Sequence, residues 1–262
     1  MKGNVIVLTG ASGGIGSAIA EQLSANGAML VLVGRNAEKL ELLNSNLGSK
    51  HIVVKADITT AEGQRAVVEA CQGIQQGISV LINNAGIGQF DLFEEMSQEF
   101  IGQIIHTNLT STILLTHALL PLLHHQQKAQ VINIGSTFGS IGYPGYSVYS
   151  ASKFGIKGFT ESLRRELMDS NIKVQYFAPR ATKTAINNSH VGAMNKELGT
   201  KMDDPKEVAE QFVSFLKTDN RNHFVGWPEK LFVRVNGLLP GVVESSIVKQ
   251  LPKIKEYLKK SS

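Results

Sequence analysis

Short β-branched runs alternate along this chain with longer segments of helical period, and that alternation constrains the fold more than any other feature. "VIVLT" at 5–9 precedes a helical stretch over 14–26, "AMLVLVG" at 28–34 precedes 36–47, and "HIVVKA" at 51–56 precedes 60–76. "SVLINNAG" at 79–86 is followed by 97–125, "VINIGS" at 131–136 by 148–170, and "KVQYFAP" at 173–179 by a long loop. Unbroken apolar strands separated by amphipathic helices are what a parallel sheet covered on both faces requires. The expectation is an α/β fold, a single-domain, Rossmann-like, doubly wound parallel sheet of about seven strands with helices on both faces.

No Pro/Ser-rich linker or charge block interrupts residues 1–226, which are expected to form one domain. Residues 227–262 differ. They mix Leu, Val and Ile with lysine, and Pro240 and Pro252 divide them into short amphipathic pieces. This segment is expected to be an extension packed on the sheet edge of the same domain.

The net charge of +4 is carried by one place: Lys249, Lys253, Lys255, Lys259 and Lys260 stand against Glu256 alone in residues 249–260, a surplus equal to the whole. A basic field spread over the fold is missing, so nucleic acid is not an expected partner. The single cysteine, Cys71, offers neither a disulfide nor a metal cluster, which points to a reducing compartment, by default the cytoplasm. The N-terminal apolar run is too short for a signal-peptide core and reads as a first strand.

"TGASGGIG" follows the first strand and opens the first helix, with Gly10, Gly14 and Gly16 spaced G-x-x-x-G-x-G. Such a turn lets backbone approach a pyrophosphate, while the helix N-terminus offers N–H groups and the positive end of its dipole. Cofactor binding is the expected use; closing an ordinary strand-to-helix corner is the other. The second strand ends in "VGRN", without the acid that would hold a ribose 2′-hydroxyl at Gly34 and with Arg35 able to neutralise a 2′-phosphate. That favours NADP(H) over NAD(H), the alternative for Arg35 being a solvated, helix-capping side chain.

"VYSASKFG" sets Tyr149 and Lys153 four residues apart on one helical face, with small residues between them. A phenol with an ordinary pKa of about 10 is a poor acid or base at neutral pH, and a neighbouring ammonium is expected to lower it.

With "TGASGGIG" at 9–16, "AD" at 56–57, "NNAG" at 83–86, "HTNLT" around Asn108, "NIGS" ending in Ser136 and "YSASK" at 149–153, the chain resembles a classical short-chain dehydrogenase/reductase over residues 1 to 180. The resemblance implies that Tyr149 is the general acid/base, that Ser136 holds the substrate oxygen, that Lys153 also binds the nicotinamide ribose and that Asn108 holds a proton-relay water. It implies a cofactor site of Gly10, Ser12, Gly14, Ile15, Gly16, Arg35, Asp57, Ile58, Asn84, Ala85, Gly86, Tyr149, Lys153, Pro179 and Thr184, with Asn83 also matching the stretch along the cofactor. It further implies a homodimer or homotetramer, for which the row Ile105, Leu109, Ile113 and Leu120 is a candidate face; burial within one subunit would demand the same residues.

The pattern departs from the family after the sixth strand. "PRATKT" puts Arg180 where relatives commonly carry glycine, either to meet an anionic substrate or to bond carbonyls and acids of neighbouring elements. Residues 182–202 occupy the place of a substrate lid, and Phe138, Ile141, Tyr143 and Met194 are candidate walls of an apolar pocket. His106, His117, His124 and His125 lack carboxylates at ligand spacing, so no metal is expected.

The function read from these features is NADP(H)-dependent interconversion of a carbonyl and a secondary alcohol on an apolar or acyl/lipid-like small molecule. The alternative is a catalytically silent nucleotide-binding sensor or scaffold. The basic tail leaves peripheral membrane contact open beside simple docking on the protein with its lysines outward.

Overall fold

The computed structural model describes residues 1–187 and 189–259; Asn188 of the lid region and Lys260 of the basic tail lie outside the described residues. Seven strands form one parallel sheet in the order β3-β2-β1-β4-β5-β6-β7. They are β1 (Val5–Thr9), β2 (Met29–Gly34), β3 (Ile52–Lys55), β4 (Val80–Asn83), β5 (Ala129–Ile134), β6 (Ile172–Ala178) and β7 (Asn222–Phe224). The chain winds outward from β1 to β3, then returns to place β4 on the other side of β1. The crevice between β1 and β4 is therefore the topological switch point, where ligands of open α/β sheets bind.

Each sheet face is sealed by its own apolar cluster, as unbroken Val/Ile/Leu strands require. On one side α1 (Gly14–Ala25), α2 (Ala37–Asn46) and α8 (Pro205–Leu216) bury Ile19, Leu23, Leu40, Phe212 and Phe215 against Ile6, Leu8, Leu30 and Leu32. On the other, α3 (Ala61–Gln72) and α5 (Ser111–His124) bury Val67, Leu115, Leu119 and Leu123 against Val5, Val7, Val31 and Val131. Helix starts follow local chemistry: the side chains of Asn36, Thr60 and Asp204 accept backbone N–H bonds at the N-termini of α2, α3 and α8.

Three expectations change. The helical stretch 97–125 is two helices, α4 (Gln98–Ile105) and α5, joined by a wide π-turn over His106–Thr110 that contains Asn108. The "long loop" after β6 holds α7 (Ser189–Glu197), α8 and β7; the Asp204-Pro205 start of α8 carries a cap residue followed by proline at the first turn. In the tail, α9 (Glu229–Leu238) is followed by α10 (Pro240–Leu258). Pro240 opens α10 as proline at a first turn does, but Pro252 lies inside it and does not divide it.

The tail is also not laid on the sheet edge. Ile254 and Leu258 are buried with Phe90, Tyr146, Val191 and Met194, so α10 closes the far end of the cleft that begins at the switch point. Tyr146 is in turn the residue before α6 (Ser147–Glu166), the helix that carries Tyr149 and Lys153.

Candidate active site

The site is built where β1, β4, β5 and β6 end. Gly10 has φ of 62°, a left-handed backbone that favours glycine, and a Cβ on Gly16 would lie 2.1 Å from the Gly10 carbonyl oxygen. The first turn of α1 thus seats directly on the loop that precedes it. Its cap residue, Gly13, supplies no side-chain hydrogen bond, and no acid occupies the first turn. The leading N–H groups and the positive helix end are left for an anion, which is what a dinucleotide's pyrophosphate needs.

Loop and strand are tied together by Thr9 and Asn84. Thr9 Oγ1 accepts from the backbone N–H groups of Asn84 (3.0 Å) and Ala85 (3.1 Å), and Asn84 Nδ2 donates to the carbonyls of Thr9 (3.0 Å) and Gly10 (3.1 Å). Asn83, by contrast, faces away from the cleft. It is buried and donates to Thr116 Oγ1 and Asn133 Oδ1, a polar network that links β4, β5 and α5.

A cavity of about 1060 Å³ runs from this loop to the tail helices. Gly10, Ser12, Gly14, Ile15, Gly16, Arg35, Asp57, Ile58, Asn84, Ala85, Gly86, Ser136, Tyr149, Lys153, Pro179 and Thr184 all line it. Asn108 does not; it stands behind the wall. Its Oδ1 accepts from Ile87 N–H (2.8 Å), and its Nδ2 donates to the Ile87 carbonyl (2.9 Å) and to Ser152 Oγ (3.0 Å). The π-turn therefore aims Asn108 at the strip 86–88, fixing it against the helix of Tyr149. π-turns are rare and cluster at functional sites.

At the end of β2, Asn36 rather than Arg35 caps the next helix, accepting from Lys39 N–H at 2.8 Å. Arg35 is exposed at the cavity rim. Burial would raise the Asp57 pKa, but hydrogen bonds from the Thr59 hydroxyl and N–H, with the charges of Arg35 and His106, hold it below the ordinary value. His106 steadies the same corner, its Nε2 lying 2.8 Å from the Thr59 carbonyl.

Ser136, Tyr149 and Lys153 meet beside the end of β5. Ser136 starts a short turn of 3-10 helix, where its Oγ accepts from Phe138 N–H (3.1 Å). Burial raises the Tyr149 pKa, and the neighbouring Ser136 hydroxyl, which favours the phenolate, offsets this only in part. Lys153 Nζ donates to the Ile134 carbonyl (2.9 Å) and lies 5.7 Å from the centroid of the Tyr149 ring. Burial pulls the Lys153 pKa down to about 8.

The expected lowering of the phenol pKa by the ammonium is thus not found in the protein alone. Burial disfavours charge on both groups, and the lysine is turned toward a carbonyl.

Tyr176 belongs to no motif in the sequence, although its surroundings are built for it. It is fully buried on β6, and its hydroxyl donates to the Ser136 carbonyl (3.2 Å) and accepts from Ser136 N–H (3.3 Å). A Cβ on Gly135 would lie 2.1 Å from the Tyr176 ring, so the small residue before Ser136 makes room for the support beneath it.

The substituted position after β6 has a structural explanation. Arg180 Nε donates to Asp203 Oδ2 (2.9 Å) and Nη2 to Asp203 Oδ1 (2.8 Å), while Nη1 donates to Glu229 Oε2 (2.8 Å) and to the Trp227 carbonyl (3.1 Å). Its guanidinium makes four hydrogen bonds, to two carboxylates and a carbonyl. Of the two readings of Arg180, the bonds to neighbouring acids are the ones formed. Phe138, Ile141, Tyr143 and Met194 do line the cavity, with Phe138 and Tyr143 stacked 5.0 Å apart. No group of three or more His, Cys, Asp or Glu suited to a metal ion occurs among the described residues.

A parallel sheet with its switch point over an uncapped glycine loop, and a Ser–Tyr–Lys cluster across the same cavity, belongs to one class of protein. The short chain dehydrogenase family model matches residues 4–195, and the chain belongs to that family. It is 32% identical over 231 residues to the 3-oxoacyl-acyl-carrier-protein reductase FabG of Haemophilus influenzae, covering 86% of this chain and 95% of that one. Among solved structures it is similar to a short-chain dehydrogenase from Streptomyces avermitilis (TM-score 0.80, 26% identity, 97% of each chain). It is similar also to the 3-ketoacyl-acyl-carrier-protein reductase of Brucella melitensis complexed with NADH (TM-score 0.80, 26% identity, 87% of this chain and 98% of that one).

Proposed function

We propose that this oxidoreductase is an NADP(H)-dependent carbonyl reductase, or the reverse alcohol dehydrogenase, acting on an apolar, acyl-type ketone through Tyr149. The observation that carries the proposal is the meeting of the Ser136 hydroxyl, the Tyr149 phenol and the Lys153 ammonium on the wall of a cavity whose other end is an uncapped glycine turn. A nicotinamide dinucleotide bound here would supply or accept the hydride. The glycine turn with Ser12 and Ile15 would hold its phosphates, and Asp57 with Ile58 would hold its adenine end.

Tyr149 gives its proton to the carbonyl oxygen as the carbonyl carbon becomes a carbinol, and takes it back in the oxidative direction. Ser136, held from below by Tyr176 and with one lone pair bonded to Phe138 N–H, keeps the substrate oxygen within reach of that proton. A phenol raised by burial keeps its proton at neutral pH but gives it up less readily, so the Lys153 ammonium, 5.7 Å from the ring centroid, is the group that would ease the transfer.

Preference for the phosphorylated dinucleotide rests on Arg35 at the rim and the missing acid at Gly34. An acyl-type substrate is favoured by the aromatic wall of Phe138, Tyr143 and Tyr146 and by the ketoacyl specificity in the names of two relatives. The exposed Leu114 and Phe154, on α5 and α6, support a homo-oligomer built on that face.

The test is NADPH and NADH oxidation with a panel of 3-oxoacyl thioesters and ketones, comparing wild type with Tyr149→Phe and Arg35→Ala. Tyr149→Phe should lose activity by roughly 10²-fold or more. Arg35→Ala should weaken NADPH far more than NADH. If wild type and Tyr149→Phe share one background rate, a silent nucleotide-binding scaffold is the better reading.

A further inference from the structure

The tail helix α9 is oriented against the usual rule. Two of its polar residues turn inward: Glu229 bonds Arg180, and Asn236 Nδ2 donates to the Ser140 carbonyl at 2.8 Å. None of its residues is buried. Leu231 and Leu238, seven apart and hence on one helical stripe, are 42% and 82% exposed, and Trp227, just before the helix, is 69% exposed. Leu239 and Val242, at the turn into α10, extend the same bare surface.

A soluble helix normally buries such a stripe, and a contiguous exposed apolar patch marks an interaction surface.

Two further observations say what the patch meets. First, it is continuous with the substrate cavity: Trp227, Phe232, Val243 and Ile247 of the same segment line that cavity. Second, the segment that carries it is rich in cations. Residues 227–259 contain Lys230, Arg234, Lys249, Lys253, Lys255 and Lys259 against Glu229, Glu244 and Glu256; Lys253 pairs with Glu197, and Glu229 is turned inward onto Arg180. Apolar side chains with an indole at one end, flanked by lysines, match the boundary between acyl chains and anionic headgroups. No helix among the described residues is long and apolar enough to cross a membrane, so the contact would be interfacial.

We propose that α9 and its turn into α10 form a docking surface for an anionic lipid bilayer, and that the cavity takes its substrate through this face. Docking stands on the exposed residues alone; delivery of a bilayer-dissolved acyl ketone rests on the carbonyl-reductase reading above. Lys249, Lys255 and Lys259 are exposed, as docking with lysines outward would have them, but Leu231 and Leu238 are exposed too.

The test is co-sedimentation of the full chain with vesicles of phosphatidylcholine alone and of phosphatidylcholine with phosphatidylglycerol. Wild type should bind the anionic vesicles and not the neutral ones. The double variant Leu231→Ser/Leu238→Ser should bind roughly tenfold or more weakly, with its melting temperature and its reduction of a water-soluble ketone unchanged. Lys249→Glu/Lys255→Glu should remove the preference for anionic lipid. Absence of wild-type binding, or binding that the leucine variant leaves intact, overturns the proposal. So does a fall in sedimentation mass of the leucine variant without any vesicle binding, which would assign the stripe to a second copy of the chain. Vesicle binding is read without turnover, so failure of the reductase assignment would be seen separately.

Discussion

Arg180 and Asp203 form a two-point ion pair, Nε to Oδ2 at 2.9 Å and Nη2 to Oδ1 at 2.8 Å, with side chains only 7% and 3% exposed. The pair joins the end of β6 to the segment that returns from α7, and Glu229 extends it into the tail. Removing one member of a buried pair leaves the other charge unmatched, a loss of about 3–5 kcal/mol. Arg180→Met should therefore lower the melting temperature by roughly 10 °C in thermal unfolding, and Arg180→Lys should recover little, because an ammonium cannot make the parallel bonds. A shift of only a degree or two in Arg180→Met would show that the pair is not holding the three segments.

Lys153 sets a pH dependence. Its folded pKa of about 8 lies below its ordinary 10.5, so between these values the unfolded chain binds the extra proton. Burying the ammonium is costly below pH 8, and that cost is relieved as pH rises toward 10.5. The melting temperature of wild type relative to Lys153→Met should accordingly rise across pH 8 to 10 in the cofactor-free protein. A difference that stays flat over that window would mean the amine is not desolvated.

Tyr176 supports Ser136 from beneath through its hydroxyl alone. Tyr176→Phe keeps the ring against Gly135 and removes both hydrogen bonds to the Ser136 backbone, so stability should fall by about 1–2 kcal/mol. If the hydroxyl positions Ser136, kcat should drop severalfold with cofactor Kd unchanged. Unaltered kcat would confine Tyr176 to packing.

Gly16 is held to glycine by the Gly10 carbonyl, 2.1 Å from where a Cβ would stand. Gly16→Ala must push the phosphate-facing loop and α1 apart. Dinucleotide affinity, read by fluorescence titration, should weaken by at least tenfold. Equal affinity in a folded Gly16→Ala protein would remove the loop from the cofactor site.

Cys71 is buried in the cluster beneath α3, and burial pushes its thiol up to about 12. A neutral, enclosed thiol should resist a disulfide reagent at pH 8 in the native protein and react at once when denaturant is added. Rapid native reaction would indicate that α3 opens readily.

The sheet and most of the cleft were legible because their signals are local. Short Val/Ile/Leu runs bounded by turn residues fit strands covered on both faces, and the glycine turn and the Tyr-Lys spacing state their geometry within a few residues. What could not be read depends on distant partners. Whether Arg180 faced a ligand or an acid was decided by Asp203 and Glu229, far along the chain. Asn83 and Asn84 are adjacent and alike, yet strand alternation sends one into a buried network and the other to the glycine loop. The raised Tyr149 phenol reflects burial by several elements, which the i, i+4 spacing of its lysine does not contain. Pro252 looked like a break, but the rest of α10 is held by buried Ile254 and Leu258, and tertiary packing prevailed over propensity.

Gly226 has φ of +94°, and a Cβ there would sit 2.6 Å from Cδ of Arg180. The guanidinium fills the volume that any larger residue at 226 would claim, while its charge is answered by Glu229, three positions on. An engineer who grafts this C-terminal segment onto another member of the family must transplant position 180 with it, and Asp203 as well. Without them the graft would carry an orphan carboxylate at its hinge, so tail and lid can be exchanged between scaffolds only as a set.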